Sequence, residues 1–282
     1  MKNKTIFFYF IIIIFIIFLL SMIYLYINYN INLYSSDIIN KNKYDKNKKT
    51  CILISGQIRG NFEDIYLTQK LFLINPLNAD IFCVFDDNLD YNKKLYIKKL
   101  INPKNILWIS DKNDLNNNLY KMYNKIYICN KLKKEYEFKN KIKYDVCIRI
   151  RPDLFIKSFI PDYIINNTDH NTFYTPSLNI FDFYTNLLGL GVTDQIFICN
   201  SNTMNIISNI FFSINNIKCN SSEISLKKYI KKNNINIHTF YNFKFIIYNY
   251  SYKSMFNLVD RLNNKKKDIF YIFDFNCHNK EL

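Results

Sequence analysis

The chain has 282 residues, 49% of them hydrophobic and 17% aromatic, with a formal charge of +15. Apolar content of this size excludes disorder and a coiled coil, and it supplies material for a packed core. The charge does not identify a partner. Only Arg59, Arg149, Arg151 and Arg261 are arginine among 38 basic residues, the lysines are scattered apart from Lys265-Lys266-Lys267, and heavy Ile, Asn and Tyr usage reads as coding bias. A nucleic-acid site concentrates its cations on one face or in runs, so nucleic acid is not an expected partner.

After a five-residue tail, residues 6–27 are apolar apart from Ser21 and the tyrosine hydroxyls. At about 1.5 Å per residue they form a helix roughly 33 Å long, enough to cross a bilayer core. Asn28-Tyr29-Asn30 follows instead of the small residues of a cleavage site, so the helix is expected to persist as a signal anchor. Lys2 and Lys4 precede it and no cation follows until Lys41, which favours a cytoplasmic N-terminus and a lumenal or external C-terminal domain. The lysines from Lys41 to Lys49 pull the other way. Asn166-Asn167-Thr168 and Asn220-Ser221-Ser222 are glycosylation acceptors that would report the orientation. Residues 28–49 are polar and without periodicity, and they read as a stem to a globular domain over 50–282.

Within that domain, Cys51–Ser55, Ile81–Phe85, Ile106–Ile109 and Val146–Ile150 read as buried strands. Segments near 63–74, 91–100 and 114–139 between them have helical spacing. Such alternation predicts an α/β domain with a Rossmann-like, mostly parallel sheet flanked by helices, whose ligands bind at the carboxyl ends of the strands.

The first strand runs into Ser55-Gly56-Gln57-Ile58-Arg59-Gly60-Asn61, with two of the four glycines in the chain. Asn61 is placed to cap the next helix, with Asp64 three residues on. Backbone amides there, together with Arg59, suit a phosphate or a nucleotide edge; the alternative is a plain strand-to-helix turn. A middle strand ends in Arg149-Ile150-Arg151-Pro152-Asp153. Alternation puts both arginines on one face, and Pro152 ends the strand. Two arginines in a lysine-rich chain fit bidentate contact with phosphate, or an internal ion pair with Asp153 or Asp145. Gly189-Leu190-Gly191 precedes Asp194-Gln195 and a further strand, and a helix opens near Ser221 with Glu223 in its first turn. Seven cysteines show no C-x-x-C pair and no His at ligand spacing, so buried thiols are expected instead of zinc. His170, His238 and His278 are isolated.

These motifs in this order, Ser55-Gly56-Gln57 with Arg59, then Arg149-x-Arg151-Pro152-Asp153, Asp194-Gln195 and Glu223, resemble glycosyltransferase-like proteins of bacteria and large DNA viruses. Their fold is the nucleotide-diphospho-sugar transferase fold termed GT-A, and the resemblance covers about residues 50–240. It implies a nucleotide-sugar donor cradled by Ser55, Gly56, Gln57, Arg59, Arg149 and Arg151, and a glycan, protein or lipid acceptor. It also places Asp153 at the metal-binding Asp-x-Asp signature, for Mn²⁺ or Mg²⁺, although Arg151 stands where the other aspartate would be. Arg149 or Arg151 is the alternative means of neutralising the diphosphate. A base for the acceptor hydroxyl is expected at Asp194, with Glu223 second. The competing readings are a membrane-tethered binding or structural protein and a phosphotransfer or nucleic-acid enzyme. Whether Arg59, Asp153 and Asp194 line one pocket separates a site from a scaffold.

Overall fold

A computed structural model of the chain describes residues 44–110, 118–176, 192–217, 221–240, 243, 245–248 and 270–271. The expected membrane helix over 6–27, most of the stem, Gly189, Gly191 and Asn220 lie outside these residues. Among the described residues no helix is long and apolar enough to cross a membrane.

Strands β1 (Thr50–Gly56), β2 (Asp80–Asp86), β3 (Asn105–Ile109) and β4 (Val146–Ile150) fall within one residue of the expected runs. They read as continuous apolar stretches because helices cover both faces. On one face Ile52, Ile54, Ile148 and Ile150 pack with Phe62, Tyr66, Leu73, Ile97 and Ile101. Helix α1 (Phe62–Gln69) continues through a wide π turn, Lys70–Ile74, and a last turn, Asn75–Leu77, and stops where Asn78 turns left-handed at φ 46°. Helix α2 (Tyr91–Ile101) is capped by the Asp90 carboxylate, which accepts from the Lys93 amide, and ends at left-handed Asn102. On the other face Leu53, Phe82, Val84 and Cys147 meet Tyr123, Ile126 and Cys129 of α3 (Asn118–Asn140). Each fully buried Ile, Leu or Phe contributes about 1.5–3 kcal/mol to this core.

The rest of the domain extends the sheet. Strand β5 (Leu154–Ile156) leaves it, α4 (Asp162–Asn166) follows, and β6 (Thr172–Pro176), β7 (Ile196–Cys199) and β8 (Asn236–Phe240) complete it, with α5 (Ser201–Ser208) and α6 (Ser222–Lys232) on the α3 face. The order is β3-β2-β1-β4-β7-β6-β8, and β7 alone of these seven runs antiparallel to its neighbours. A second sheet pairs β5 with β9 (Phe245–Tyr248) and β9 with β10 (Phe270–Tyr271).

Cys51, Cys83, Cys147 and Cys199 sit in β1, β2, β4 and β7, Cys129 sits in α3, and all five are buried free thiols. Lys133 of α3 is fully buried yet satisfied, by Ser201 Oγ at 2.5 Å, Asn205 Oδ1 at 3.2 Å and Glu137 at 3.3 Å. This network fastens α3 to α5.

Candidate functional site

The strand order reverses between β1 and β4, and in a doubly wound sheet the crevice at that reversal, at the carboxyl ends of the strands, is where ligands sit. The two chain segments leaving these strands touch there. Gly56 lies at φ +139°, and a Cβ on it would come within 3.2 Å of Pro152 Cδ, so only glycine lets the β1 turn lie against the β4 turn. Past it, Gln57 is exposed and its Oε1 accepts from Arg59 Nε at 3.1 Å. The Asn61 side chain donates to Asp64 Oδ2 at 2.8 Å and does not cap a backbone amide, contrary to the expected role. Ser55 Oγ is buried with no hydrogen-bond partner among the described residues.

Strand β4 ends at Ile150, and Arg151 still donates its amide to Gln195 O at 3.0 Å. Its guanidinium turns back on Asp153, Nε to Oδ1 at 2.8 Å and Nη2 to Oδ2 at 2.6 Å, a bidentate charge-assisted pair. Arg59 Nη1 approaches Asp153 Oδ2 at 3.6 Å. Asp153 is 1% exposed, whereas the side chains of Arg151 and Arg59 are 25% and 44% exposed. Burial alone would depress the Arg151 pKa, but Asp153 more than offsets it and the value is raised. Gln69 of α1 supports this turn, donating Nε2 to Arg151 O at 3.3 Å and Leu154 O at 2.8 Å. No sequence motif marks Gln69; its role follows from the way α1 packs over the turn.

Arg149 points to the α3 face and is 1% exposed, and among the described residues its Nε and Nη1 have no hydrogen-bond partner. Burial lowers it to about 10, against the pull of Asp194, so it carries its charge at neutral pH. Asp194 lies two residues before β7, buried; burial and then Glu223 push its carboxyl up, while Arg149, Arg151 and a hydrogen bond with Ser222 pull it down. Glu223 opens α6 with Oε2 accepting from Ser221 Oγ at 2.5 Å and Ser222 Oγ at 3.0 Å. The Val192 amide donates to Glu223 O at 3.1 Å, and Tyr123 Oη donates to Ser222 O at 2.8 Å, which ties α6 and α3 to the segment holding Asp194.

Arg59, Arg149, Arg151, Asp153, Asp194 and Glu223 therefore interact at one edge of the sheet, three cations with three carboxylates. Ser55, Gly56 and Gln57 border them through the β1 turn. Such an edge binds anions through its guanidinium groups and holds carboxylates that can take a proton. A divalent ion does not fit the donors at Asp153: Arg151 takes both oxygens, and the ion would lie against two guanidinium charges. No group of three or more His, Cys, Asp or Glu among the described residues is disposed to hold a metal. A cavity of about 800 Å³ lies at the amino ends of β1 and β2, beside Lys46, Lys49, Asp80 and Lys104, and none of the site residues lines it.

The chain is similar to two solved transferase structures. One is a putative nucleotide-diphospho-sugar transferase from Desulfovibrio desulfuricans G20, at 11% identity and a TM-score of 0.39, over 69% of this chain and 80% of that one. The other is a glycosyltransferase involved in glycosylation of the major capsid of PBCV-1, at 9% identity and a TM-score of 0.39, over 69% of this chain and 81% of that one. No protein-family model matches the sequence, and no curated protein matches it.

Proposed function

We propose that the chain is a glycosyltransferase that moves a sugar from a nucleotide-sugar donor to an acceptor hydroxyl, tethered to a membrane by residues 6–27. The observation that carries this reading is the buried Arg149, whose Nε and Nη1 have no hydrogen-bond partner among the described residues, in the field of the Asp194 carboxylate at the carboxyl edge of the sheet. Buried N–H groups left unmet are costly, and a scaffold has no use for that cost. In the reaction the acceptor oxygen forms a bond to the anomeric carbon. The electron pair of the anomeric C–O bond leaves with the nucleoside diphosphate, and the hydroxyl proton passes to a carboxylate. Asp194 is that base: burial and Glu223 raise its proton affinity, while Arg149 and Arg151 lower it by less. Glu223 is the positioning carboxylate, fixed by two serine hydroxyls.

The test is thermal melting of the full-length protein with a panel of nucleotide sugars, since a donor that binds only the folded state raises the melting temperature. One member of the panel is expected to raise it and to be turned over, and Asp194→Asn to bind that donor with turnover sharply reduced. If no nucleotide sugar shifts the melting point, the transferase reading falls. Protease protection in sealed microsomes tests the lumenal placement. Glycan at Asn166 is a poorer reporter, because its Oδ1 accepts from the Asp45 amide and the Thr168 hydroxyl is engaged with Ile164 O.

A further inference from the structure

Resting on the transferase reading, we infer that this site meets the donor diphosphate with a pincer of Arg59 and Arg151, held side by side by Asp153, and uses no divalent cation there. Asp153 is then a positioning residue and not a metal ligand.

The geometry of the three side chains carries the inference. A carboxylate that serves a metal must offer it a lone pair facing the ligand, but Asp153 is 1% exposed and both oxygens are engaged with Arg151 at 2.8 and 2.6 Å. The second guanidinium converges on the same oxygen, Oδ2, at 3.6 Å. One buried anion thus gathers two cations and leaves the trio with a net positive charge. Arg151 uses Nε and Nη2 on Asp153, and Arg59 is also anchored by Gln57 through Nε. A guanidinium has five N–H donors, so each arginine keeps donors beyond those bonds, on side chains that are a quarter and nearly half exposed. Ser55 Oγ adds a buried hydroxyl without a partner among the described residues at the end of β1, and Arg149 lies within the electrostatic reach of Arg151. Exposure rises from Arg149, which is buried, through Arg151 to Arg59, beside the point where the β1 and β4 turns touch.

Negative charge grows on the β-phosphate oxygen as the anomeric C–O bond breaks, and preorganised N–H donors stabilise it without reorganisation. Two guanidinium groups supply here what a metal supplies elsewhere. Bringing a divalent ion to the same oxygens would break the bidentate pair and place it against like charge.

The experiment measures binding of UDP and GDP, and of uridine and guanosine, to the full-length protein by calorimetry, in EDTA and again with Mn²⁺ or Mg²⁺. We expect one diphosphate to bind with the same affinity in EDTA and in metal. Arg59→Gln, half-exposed and so expected to fold, is to weaken it about tenfold, the loss of roughly one charge-assisted hydrogen bond. Asp153→Asn is to weaken the diphosphate while leaving affinity for the bare nucleoside unchanged, which a general loss of structure would not do. Binding that appears only when metal is added overturns the pincer and leaves the transferase reading standing. Failure of every diphosphate to bind, with or without metal, overturns both. Arg59→Gln or Asp153→Asn binding like the parent also overturns the pincer.

Discussion

Asp194 is held in two opposed fields. Burial and Glu223 raise its proton affinity, while Arg149 and Arg151 lower it, and the first pair prevails. A carboxyl whose folded value lies above the usual 3.8 holds its proton more tightly in the folded chain. Its stabilising contribution is therefore complete below that usual value and is lost as pH rises through the raised one. Asn mimics the neutral form. Asp194→Asn is accordingly expected to melt at or above the parent at neutral pH, with the difference closing as pH falls toward the usual carboxylate value. Turnover should fall by about 10²–10⁴, the usual contribution of a general base. Calorimetric melting across pH, beside turnover of the matched donor, decides it. A variant that melts lower at neutral pH and still transfers sugar removes Asp194 as the base.

At the scale of elements, the site depends on how closely the turns after β1 and β4 approach. Gly56→Ala meets two obstacles, a backbone at φ +139° that L-residues avoid and a Cβ only 3.2 Å from Pro152 Cδ. A cost of about 1–3 kcal/mol is expected from the backbone term, with weaker diphosphate binding because the turn carrying Arg59 moves away. Urea unfolding and calorimetry read the two effects, and an alanine variant as stable as the parent contradicts the tight approach. These elements also show what the sequence made legible. β1, β2 and β4 announce themselves because a strand covered on both faces must be apolar throughout, and Pro152 marks where β4 stops. Spacing cannot tell an internal ion pair from a ligand contact at Arg151 and Asp153; only the side-chain geometry separates them. Gln69 stayed invisible because it reaches the site from α1 across 82 residues of chain. Asn61 had the composition of a cap, but the nearby Asp64 carboxylate drew its amide away.

For the molecule as a whole, the boundary of the folded unit matters most to its handling, and it lies before the expected stem junction at residue 49. Hydrogen bonds of the folded domain reach back to Tyr44. Tyr44 donates its hydroxyl to Ile160 O at 2.6 Å, and burial and then Asp162 raise its pKa. The Asp45 amide bonds Asn166 Oδ1 at 3.0 Å, and Lys48 Nζ reaches Asn166 O at 2.5 Å and Ile165 O at 3.2 Å, both at the end of α4. The Lys49 amide meets Asp145 Oδ2 at 2.8 Å, and its carbonyl accepts from the Asp145 amide ahead of β4. Polar composition gives this stretch the look of a linker, yet Lys48 here serves two carbonyls that the end of α4 leaves open. A fragment from Lys43 is expected to exceed one from Thr50 by about 2 kcal/mol, since removing the segment strips α4 of its partners and leaves acceptors near Tyr44 unmet. Urea unfolding of the two fragments side by side measures the difference. Equal stabilities would return residues 44–49 to the linker and place the folded boundary at β1.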